Sequence, residues 1–398
     1  MFDYTEILKA RKNAGLSWQS YVNIHDTYPQ QILQLLRQSV FLPKDDYKLI
    51  TAYIMLPSVI CQTLPYLFLF GGTGSGKSLL TKFICKVRGT PITASSDTYA
   101  SIRNELEARR WAYTPIDSND DSKKAKKRKI ERNILLLIDD IDPRNFTDYP
   151  DLYRLLKSGY DKDSSVIQIS GDRNGKNISF DCFCPKIFSS TFSFHTALEF
   201  KELARRLIVI PFQRIERLSK QRKIDLDIED DNWQSKLIDL NAINWNDINE
   251  QYEQFWDYEQ VSTFFLFRDT LLNSQLPITS ENKALSLDLL ATGLSIGIWE
   301  DEYEAVTTLK EYWHWLDQHR QKNQSIRELI KQFMEDQRGK HLKENTAFKV
   351  SATTLHHIID GFYQKNWILE MPSPRELKAI MGDLGYRLNQ GLWLQSEI

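Results

Sequence analysis

An apolar strand pattern that runs directly into a glycine-rich loop is the feature that most restricts the fold of this 398-residue chain. Residues 66–70, YLFLF, are followed by GGTGSGKS, which matches the pattern G-x-x-x-x-G-K-[ST]. Glycines let such a loop turn its backbone N–H groups toward a phosphate, and the helix predicted over 79–87 adds the positive end of its dipole. We therefore expect an α/β fold in which a parallel sheet carries a nucleotide site.

The loop residues predict ATP and Mg²⁺ as ligands. Lys77 is expected to reach the β- and γ-phosphates, and the Ser78 hydroxyl is expected to bind magnesium. The candidate nucleotide-binding residues are Gly71, Gly72, Thr73, Gly74, Ser75, Gly76, Lys77, Ser78 and Leu79.

A second predicted strand ends in acidic residues. The run ILLLI at 134–138 precedes Asp139 and Asp140, and a continuous apolar run suits a parallel strand that is covered on both faces. Ligands of open α/β sheets bind at the carboxyl ends of the strands. We assign Asp139 to the magnesium shell and Asp140 to polarising the attacking water as a general base. The alternative is a charged loop without a catalytic role.

Composition and charge exclude several classes of protein. The net charge is −2, so any contact with nucleic acid must come from local patches. The four cysteines form no CxxC pair, which argues against a zinc site or a disulfide framework. Residues 49–70 carry no charge, but Pro57, Pro65 and Gln62 favour a buried helix and strand over a membrane span. The N-terminus shows no leader pattern, so we expect a cytoplasmic protein.

Further elements are predicted between and after these motifs. Residues 92–97 end a second strand, and 99–111 form a helix. The run KKAKKRK at 123–129 is typical of a nuclear localisation signal, but a solvated, mobile insertion is favoured. The stretches 166–170 and 178–183 flank the turn-rich GDRNGKN and predict a β-hairpin.

A third strand and an arginine pair complete the pattern. PKIFSST at 185–191 ends in hydroxyl residues, and LARRLIVIPF at 203–212 places two arginines directly before an apolar strand. The order of motifs over residues 45–215 resembles that of the AAA+ ATPases, most closely the superfamily 3 helicases and related primase-helicases of viruses, plasmids and mobile elements. Members of that superfamily also carry Asp-Asp at the second motif.

This resemblance implies roles for particular residues. In that family an arginine before the final core strand reaches the ATP site of the neighbouring subunit, which implies Arg205 as the finger and Arg206 as the second candidate. An asparagine commonly occupies the sensor-1 position, where this chain has Thr191. Whether Ser190 or Thr191 contacts the γ-phosphate stays open. The resemblance also implies a homo-oligomeric ring, a hexamer.

The predicted hairpin gains a function through the same resemblance. In this group a hairpin before sensor 1 projects into the central channel and contacts DNA, and Arg173 and Lys176 lie at the turn here. Cations suit backbone phosphates, although they are also common in exposed turns, so both interpretations are kept.

The C-terminal part is predicted to be helical and to end in a small domain. Residues 339–398 resemble the winged-helix domain of such plasmid and phage proteins, with Ser373 capping a helix that begins at Pro374. Arg375 and Lys378 would face outward, but acidic and basic residues balance over residues 341–398, so docking to a protein is an alternative to DNA binding. The predicted organisation is an N-terminal helical segment over 1–45, an AAA+ ATPase core over 46–215, a helical region over 216–338 and the winged-helix-like domain over 339–398.

The leading prediction is a ring-forming AAA+ ATPase that couples ATP hydrolysis to DNA translocation or unwinding, as a replication helicase of a plasmid or mobile element. The alternative is an ATP-gated switch that assembles on DNA or a protein partner without unwinding, in transposition control or defence. A small-molecule P-loop kinase would not need the sensor strand, the arginine pair and the terminal winged helix. About 45 residues precede the core, too few for a primase, so we expect a separate primase or replication protein to supply any priming.

Overall fold

The structure is a computed structural model that describes residues 27–94, 97–115, 127–142, 146, 150–169, 178–195, 200–218, 220–228, 237–343, 348–364 and 371–395. The chain divides into two compact units. Unit 1 comprises Met1–Thr191 and Arg205–Glu311, and unit 2 comprises Phe192–Ala204 and Tyr312–Ile398.

Unit 1 is built on a parallel sheet. Its strands are β1 (Tyr66–Gly71), β2 (Thr93–Ala94), β5 (Leu136–Asp139), β8 (Lys186–Ser190) and β9 (Leu207–Phe212). The five strands lie in the order β2–β5–β8–β1–β9, and every neighbouring pair is parallel. Almost every residue of β1, β5, β8 and β9 is buried, as their apolar runs predict for strands covered on both faces. The predicted α/β class with a central parallel sheet is confirmed.

Helices make up most of the remaining described chain. They are α1 (Thr27–Ser39), α2 (Tyr47–Ile54), α3 (Lys77–Arg88), α4 (Tyr99–Arg110), α5 (Pro150–Lys157), α6 (Lys201–Ala204), α7 (Lys220–Asp225), α8 (Trp245–Phe255), α9 (Tyr258–Asn273), α10 (Ser280–Ser295), α11 (Glu302–Lys343), α12 (Ala352–Gln364) and α13 (Pro374–Asp383). The uncharged stretch 49–70 supplies buried α2 and buried β1, as predicted. Within the described helices, no segment combines the length and apolarity that a membrane crossing requires.

Two antiparallel ribbons accompany the central sheet. One pairs β3 (Trp111–Pro115) with β4 (Lys127–Glu131), and the other pairs β6 (Val166–Ile169) with β7 (Ile178–Asp181). The second ribbon is the hairpin that the sequence predicted. Its turn, with Arg173 and Lys176, lies outside the described residues.

The first ribbon corrects two predictions. Helix α4 ends at Arg110 rather than at Trp111, which begins β3, and residues 127–131 form a strand where a mobile insertion was expected. Strand β3 carries Trp, Tyr and Thr, which favour extended backbone. The lysine-rich partner strand has no such composition, and its pairing with β3 outweighs its own weak strand propensity.

A single buried arginine joins the two ribbons at their bases. Arg110 is only 2% exposed, and its guanidinium donates to the carboxylates of Glu131 (2.8 Å) and Asp181 (3.1 Å). It also donates to the backbone carbonyls of Asp181 and Phe183, each at 2.9 Å. Because Glu131 belongs to β4 and Asp181 to β7, Arg110 holds one strand of each ribbon in a fixed place.

A buried lysine completes this arrangement at the start of β8. The Lys186 ammonium group donates to the carbonyls of Cys182 (2.9 Å), Cys184 (3.2 Å) and Gly159 (3.2 Å), and it lies 4.7 Å from the centre of the Tyr66 ring. The carbonyls of residues 181–184 therefore turn alternately to Arg110 and Lys186. This segment joins β7 to β8, so the two cations determine where β8 begins.

Unit 2 has a small sheet of its own. Its strands β10 (Val350–Ser351), β11 (Tyr386–Asn389) and β12 (Leu392–Gln395) lie in the order β10–β12–β11. The predicted cap of α13 is confirmed, since Ser373 and Glu376 form a capping box with Pro374 at the first helical turn. Arg375 and Lys378 are exposed on this helix, as predicted. The core of the unit includes Ile326, Ile330, Met334, Leu355, Ile359, Met381 and Trp393.

We predict that Lys186→Met destabilises unit 1. The substitution keeps the length of the side chain but leaves three buried carbonyls without their donor, at a cost of about 1–3 kcal/mol for each unsatisfied group. The Tm measured by calorimetry should fall by roughly 5 °C or more. Lys82→Met on α3, where the lysine is exposed, is the matched control and should change the Tm little. Equal effects of the two substitutions would show that Lys186 does not hold the 181–184 segment.

Candidate functional site

The carboxyl ends of β1, β5 and β8 meet at one edge of the parallel sheet. Strand β8 lies between the other two, with Phe188 paired to Ile138 of β5 and Ser189 paired to Leu69 of β1. One residue beyond Ile138, Asp139 lies beside Ser189. The register therefore brings the predicted acidic residues and the glycine loop (residues 71–78) to the same edge.

A serine hydroxyl connects the two acids. Ser189, which is 1% exposed, donates from Oγ to Asp139 Oδ1 at 2.5 Å and accepts from the backbone N–H of Asp140 at 2.8 Å. Asp140 has a φ of 56°, a left-handed conformation that costs energy in a residue other than glycine, and its side chain is exposed. Ser189 therefore fixes the Asp139 carboxylate and the backbone of Asp140 together. The sequence reasoning did not select Ser189 as a site residue.

The two hydroxyl residues left open by the sequence have different environments. Ser190 Oγ donates to the Ile141 carbonyl at 2.5 Å, which anchors β8 to the segment after β5. Thr191 follows the end of β8 and is half-buried. Ser189 contacts both acids, through the Asp139 carboxylate and the Asp140 backbone.

The glycine loop curls around a lysine. Gly74 and Gly76 have φ values of 74° and 98°, which glycine adopts without strain. Lys77 begins α3, and its ammonium group donates to the carbonyls of Gly71 (2.6 Å) and Gly72 (3.0 Å). The loop thus folds over its own lysine.

The charge of Lys77 depends on two opposing influences. Burial lowers the pKa of Lys77 below its usual value, and the negative charges of Asp140 and Asp139 act in the opposite direction. The lysine and the two acids therefore lie close enough to interact electrostatically, although the loop and the acids come from separate strands.

The glycine at the end of β1 allows a close backbone approach. Gly71 pairs with Phe212 of β9, and a Cβ atom at Gly71 would lie 2.3 Å from the Phe212 carbonyl oxygen. Any larger residue would push β9 away from the loop. Phe212 also lies near Gly76, where an added Cβ would be 3.8 Å from its ring.

One buried hydroxyl of the loop lacks a partner. Ser75 is 8% exposed, and its Oγ makes no hydrogen bond with any residue that the structure describes. Buried polar atoms are normally satisfied, so an orphaned hydroxyl inside a loop points to a ligand, ion or water. Gly72, Thr73, Gly74 and Ser78 are exposed, and the loop is thus open to a ligand from outside.

A cavity of about 590 Å³ lies beside α3, next to the loop. Leu79 contributes to its lining, directly after Ser78. The other lining residues are Lys82, Cys85, Lys86, Thr90, Ile92, Ile238, Asp239, Leu240 and Asn241.

The arginine pair lies at the other edge of the sheet. Strand β9 runs parallel to β1, and the two arginines precede it, about 20 Å or more before the level of Gly71 at the usual rise of a strand. Arg206 is half-buried and stacks on the Tyr160 ring of its own chain, 3.9 Å from the ring centre. Arg205 is exposed. Neither arginine is within side-chain reach of the glycine loop of its own chain.

Oxygen atoms are the metal ligands that this site offers. Asp139 carries a carboxylate and Ser78 a hydroxyl, and oxygens of both kinds suit Mg²⁺. In the part of the chain that the structure describes, no three or more His, Cys, Asp and Glu side chains cluster as a ready-made metal site.

The chain matches no protein-family model, and a search of the curated proteins finds no match either.

We predict that Asp140→Asn and Asp139→Asn each lower the pKa of Lys77 further. Each substitution removes a negative charge that favours the protonated amine, while the burial that disfavours it remains. NMR titration of ¹³C-labelled lysine side chains measures this pKa directly. Asp163→Asn, at an exposed position in a short 3₁₀ helix, is the control. An unchanged Lys77 pKa in both site variants would mean that the acids lie too far from the lysine to share a ligand with it.

Proposed function

We propose that this chain is a P-loop ATPase of the AAA+ type, resembling the superfamily 3 helicases, and that it uses ATP to translocate along or unwind DNA. The observation that carries the proposal is the meeting of Lys77, Asp139 and Asp140 at one sheet edge, with Ser189 fixing both acids. A lysine-bearing phosphate loop beside a strand that ends in acids is the arrangement that phosphoryl transfer needs.

The residues of the loop fit ATP and magnesium. Ser75 supplies an unpartnered buried hydroxyl, and the exposed turn 72–74 leaves the backbone open to a phosphate. Ser78 and Asp139 would hold Mg²⁺, which neutralises charge on the phosphates when bound. The cavity beside Leu79 offers room for the nucleoside.

Each residue of the site then has its own role in the hydrolysis of ATP. Lys77 exchanges the carbonyls of Gly71 and Gly72 for phosphate oxygens, because a charged acceptor forms the stronger hydrogen bond. The exposed Asp140 carboxylate orients a water molecule and accepts its proton. Ser189 keeps Asp140 in place for this step. Thr191 remains the candidate for contact with the γ-phosphate.

The position of the arginines supports a site that is shared between subunits. They lie about one strand length from the loop of their own chain, which supports a role at the loop of another chain. Arg206 is half-buried against Tyr160, whereas Arg205 is exposed to solvent, and this exposure favours Arg205 as the finger. We propose a homo-oligomeric ring, with six subunits as in the family that the chain resembles.

Two elements support contact with DNA. The β6–β7 ribbon precedes β8, where the resemblance places a hairpin that touches DNA through Arg173 and Lys176. In unit 2, two helices are followed by the antiparallel pair β11–β12, the order of a recognition helix and a wing. We propose that this unit is a winged-helix-like domain, with Arg375 and Lys378 on the exposed face of α13.

The alternative is an ATP-gated switch that assembles on DNA or a protein partner. The balance of acidic and basic residues in the winged-helix-like domain favours this candidate, because a DNA-reading module usually carries excess positive charge. Both functions share the same ATPase site.

We predict that Lys77→Ala abolishes tight ATP binding and that Asp140→Asn keeps binding but loses hydrolysis. Lys77→Ala removes the positive charge that binds the phosphates, and Asp140→Asn leaves an amide that cannot accept a proton. Calorimetric titration and phosphate release measure the two effects. Normal turnover by Asp140→Asn would show that another group is the base.

A strand-displacement assay on forked DNA separates the motor from the switch. If the chain is a helicase, the wild type displaces the labelled strand with ATP, while Asp140→Asn binds the fork without displacing it. A wild type that hydrolyses ATP and binds the fork, yet displaces nothing, would establish the switch instead.

A further inference from the structure

Arg214, which was not selected from the sequence, lies against the glycine loop of its own chain. Strands β1 and β9 are in register up to Gly71 and Phe212, so the residues after Phe212 continue alongside the loop. Arg214 is two residues further on, as Thr73 is from Gly71. Its Nε donates to the Thr73 carbonyl at 3.0 Å, and this Nε is the nearest atom to the Cβ that Gly74 lacks, at 3.9 Å.

The Nε contact leaves the rest of the guanidinium available. Arg214 is exposed, and among the described residues the Thr73 carbonyl is its one hydrogen-bond acceptor. The two terminal amino groups form the fork that matches two oxygens of a phosphate. A side chain anchored at one nitrogen has lost part of its rotamer freedom already, so binding through the other two costs less entropy.

The position of Arg214 differs from that of the other cation of the loop. Lys77 is buried and held by the carbonyls of Gly71 and Gly72, on the inner side of the loop. Arg214 lies against the exposed outer turn, Thr73 and Gly74. A triphosphate held by the loop would thus meet a cation on each side. Asp139 and Asp140 lie on the opposite side of the loop from Arg214, because β1 and β8 separate β5 from β9.

We propose that Arg214 binds the terminal phosphates of the nucleoside triphosphate in cis, and that it distinguishes triphosphate from diphosphate. This inference rests on the proposed ATPase function and adds a binding residue to it. The two arginine positions then have separate tasks. Arg214, after β9, serves its own loop, whereas Arg205, before β9, serves the neighbouring subunit.

Binding measurements test the proposal without relying on turnover. We expect Arg214→Ala to weaken the binding of the non-hydrolysable analogue AMP-PNP about tenfold or more, because charge-assisted hydrogen bonds are lost. The binding of ADP should weaken much less. Arg214→Lys should give an intermediate loss, because an ammonium group keeps the charge but lacks the fork. Arg132→Ala is the matched control, since Arg132 is exposed and precedes β5 at the opposite edge of the sheet.

The outcomes separate this inference from the proposed function. A wild type that binds neither nucleotide overturns the proposed ATPase. A wild type that binds both, with Arg214→Ala binding AMP-PNP as tightly as Arg132→Ala does, overturns the role of Arg214 alone. Equal weakening of AMP-PNP and ADP also overturns it, because the arginine then does not recognise the terminal phosphate.

Mixing variants tests whether Arg214 acts in cis, at an ATP concentration too low to saturate Arg214→Ala subunits. Lys77→Ala subunits have a defective loop but an intact Arg205, so their mixture with Arg205→Ala subunits should regain some ATPase at mixed interfaces. A mixture of Lys77→Ala and Arg214→Ala subunits should regain no ATPase, because each subunit then carries a defect at its own glycine loop. Recovery in the second mixture would place Arg214 in the neighbour's site and overturn the proposal. If the first mixture also stays inactive, the shared finger fails, and the binding measurements still decide the role of Arg214.

Discussion

The burial of Lys186 at the first residue of β8 is the interaction on which the rest of the site depends. Its ammonium group and one terminal amino group of Arg110 donate to the carbonyls of the segment that leads into β8. Buried cations without such partners would be costly, so the segment has one favourable position. That position sets the register of β8, and the register places Ser189 between Asp139 and the backbone of Asp140. A slip of one residue would turn Ser189 to the other face of the sheet.

The same cations connect the candidate ATPase site to the ribbons. Arg110 joins β4 to β7 through Glu131 and Asp181, and the next residues along the chain run directly into β8. If the β6–β7 ribbon contacts DNA, this short segment, whose carbonyls are held by Arg110 and Lys186, offers a direct connection between the ribbon and Ser189. The physical basis for such coupling is rigid packing rather than a flexible linker.

Local sequence patterns predicted the individual elements of the site, but not which strands lie side by side or in which register. The glycine loop, the acids after β5 and the β6–β7 hairpin could be read from local patterns, because glycines, apolar runs and turn residues act over a few positions. Ser189 and Arg214 could not, since their roles depend on which strands lie side by side and in which register. Strand β4 was missed for a related reason: its lysines resemble a solvated run until β3 is present to pair with them.

The central claim is that the glycine loop and the acids of β5 form one ATP site. A crystal structure of the protein with AMP-PNP and Mg²⁺ tests it most directly. The account predicts phosphates in the loop over residues 71–78, magnesium between Ser78 and Asp139, and the Lys77 ammonium group moved from the carbonyls of Gly71 and Gly72 to the phosphates. A nucleotide bound elsewhere, or a Lys77 that keeps both carbonyl hydrogen bonds beside a filled loop, would contradict it.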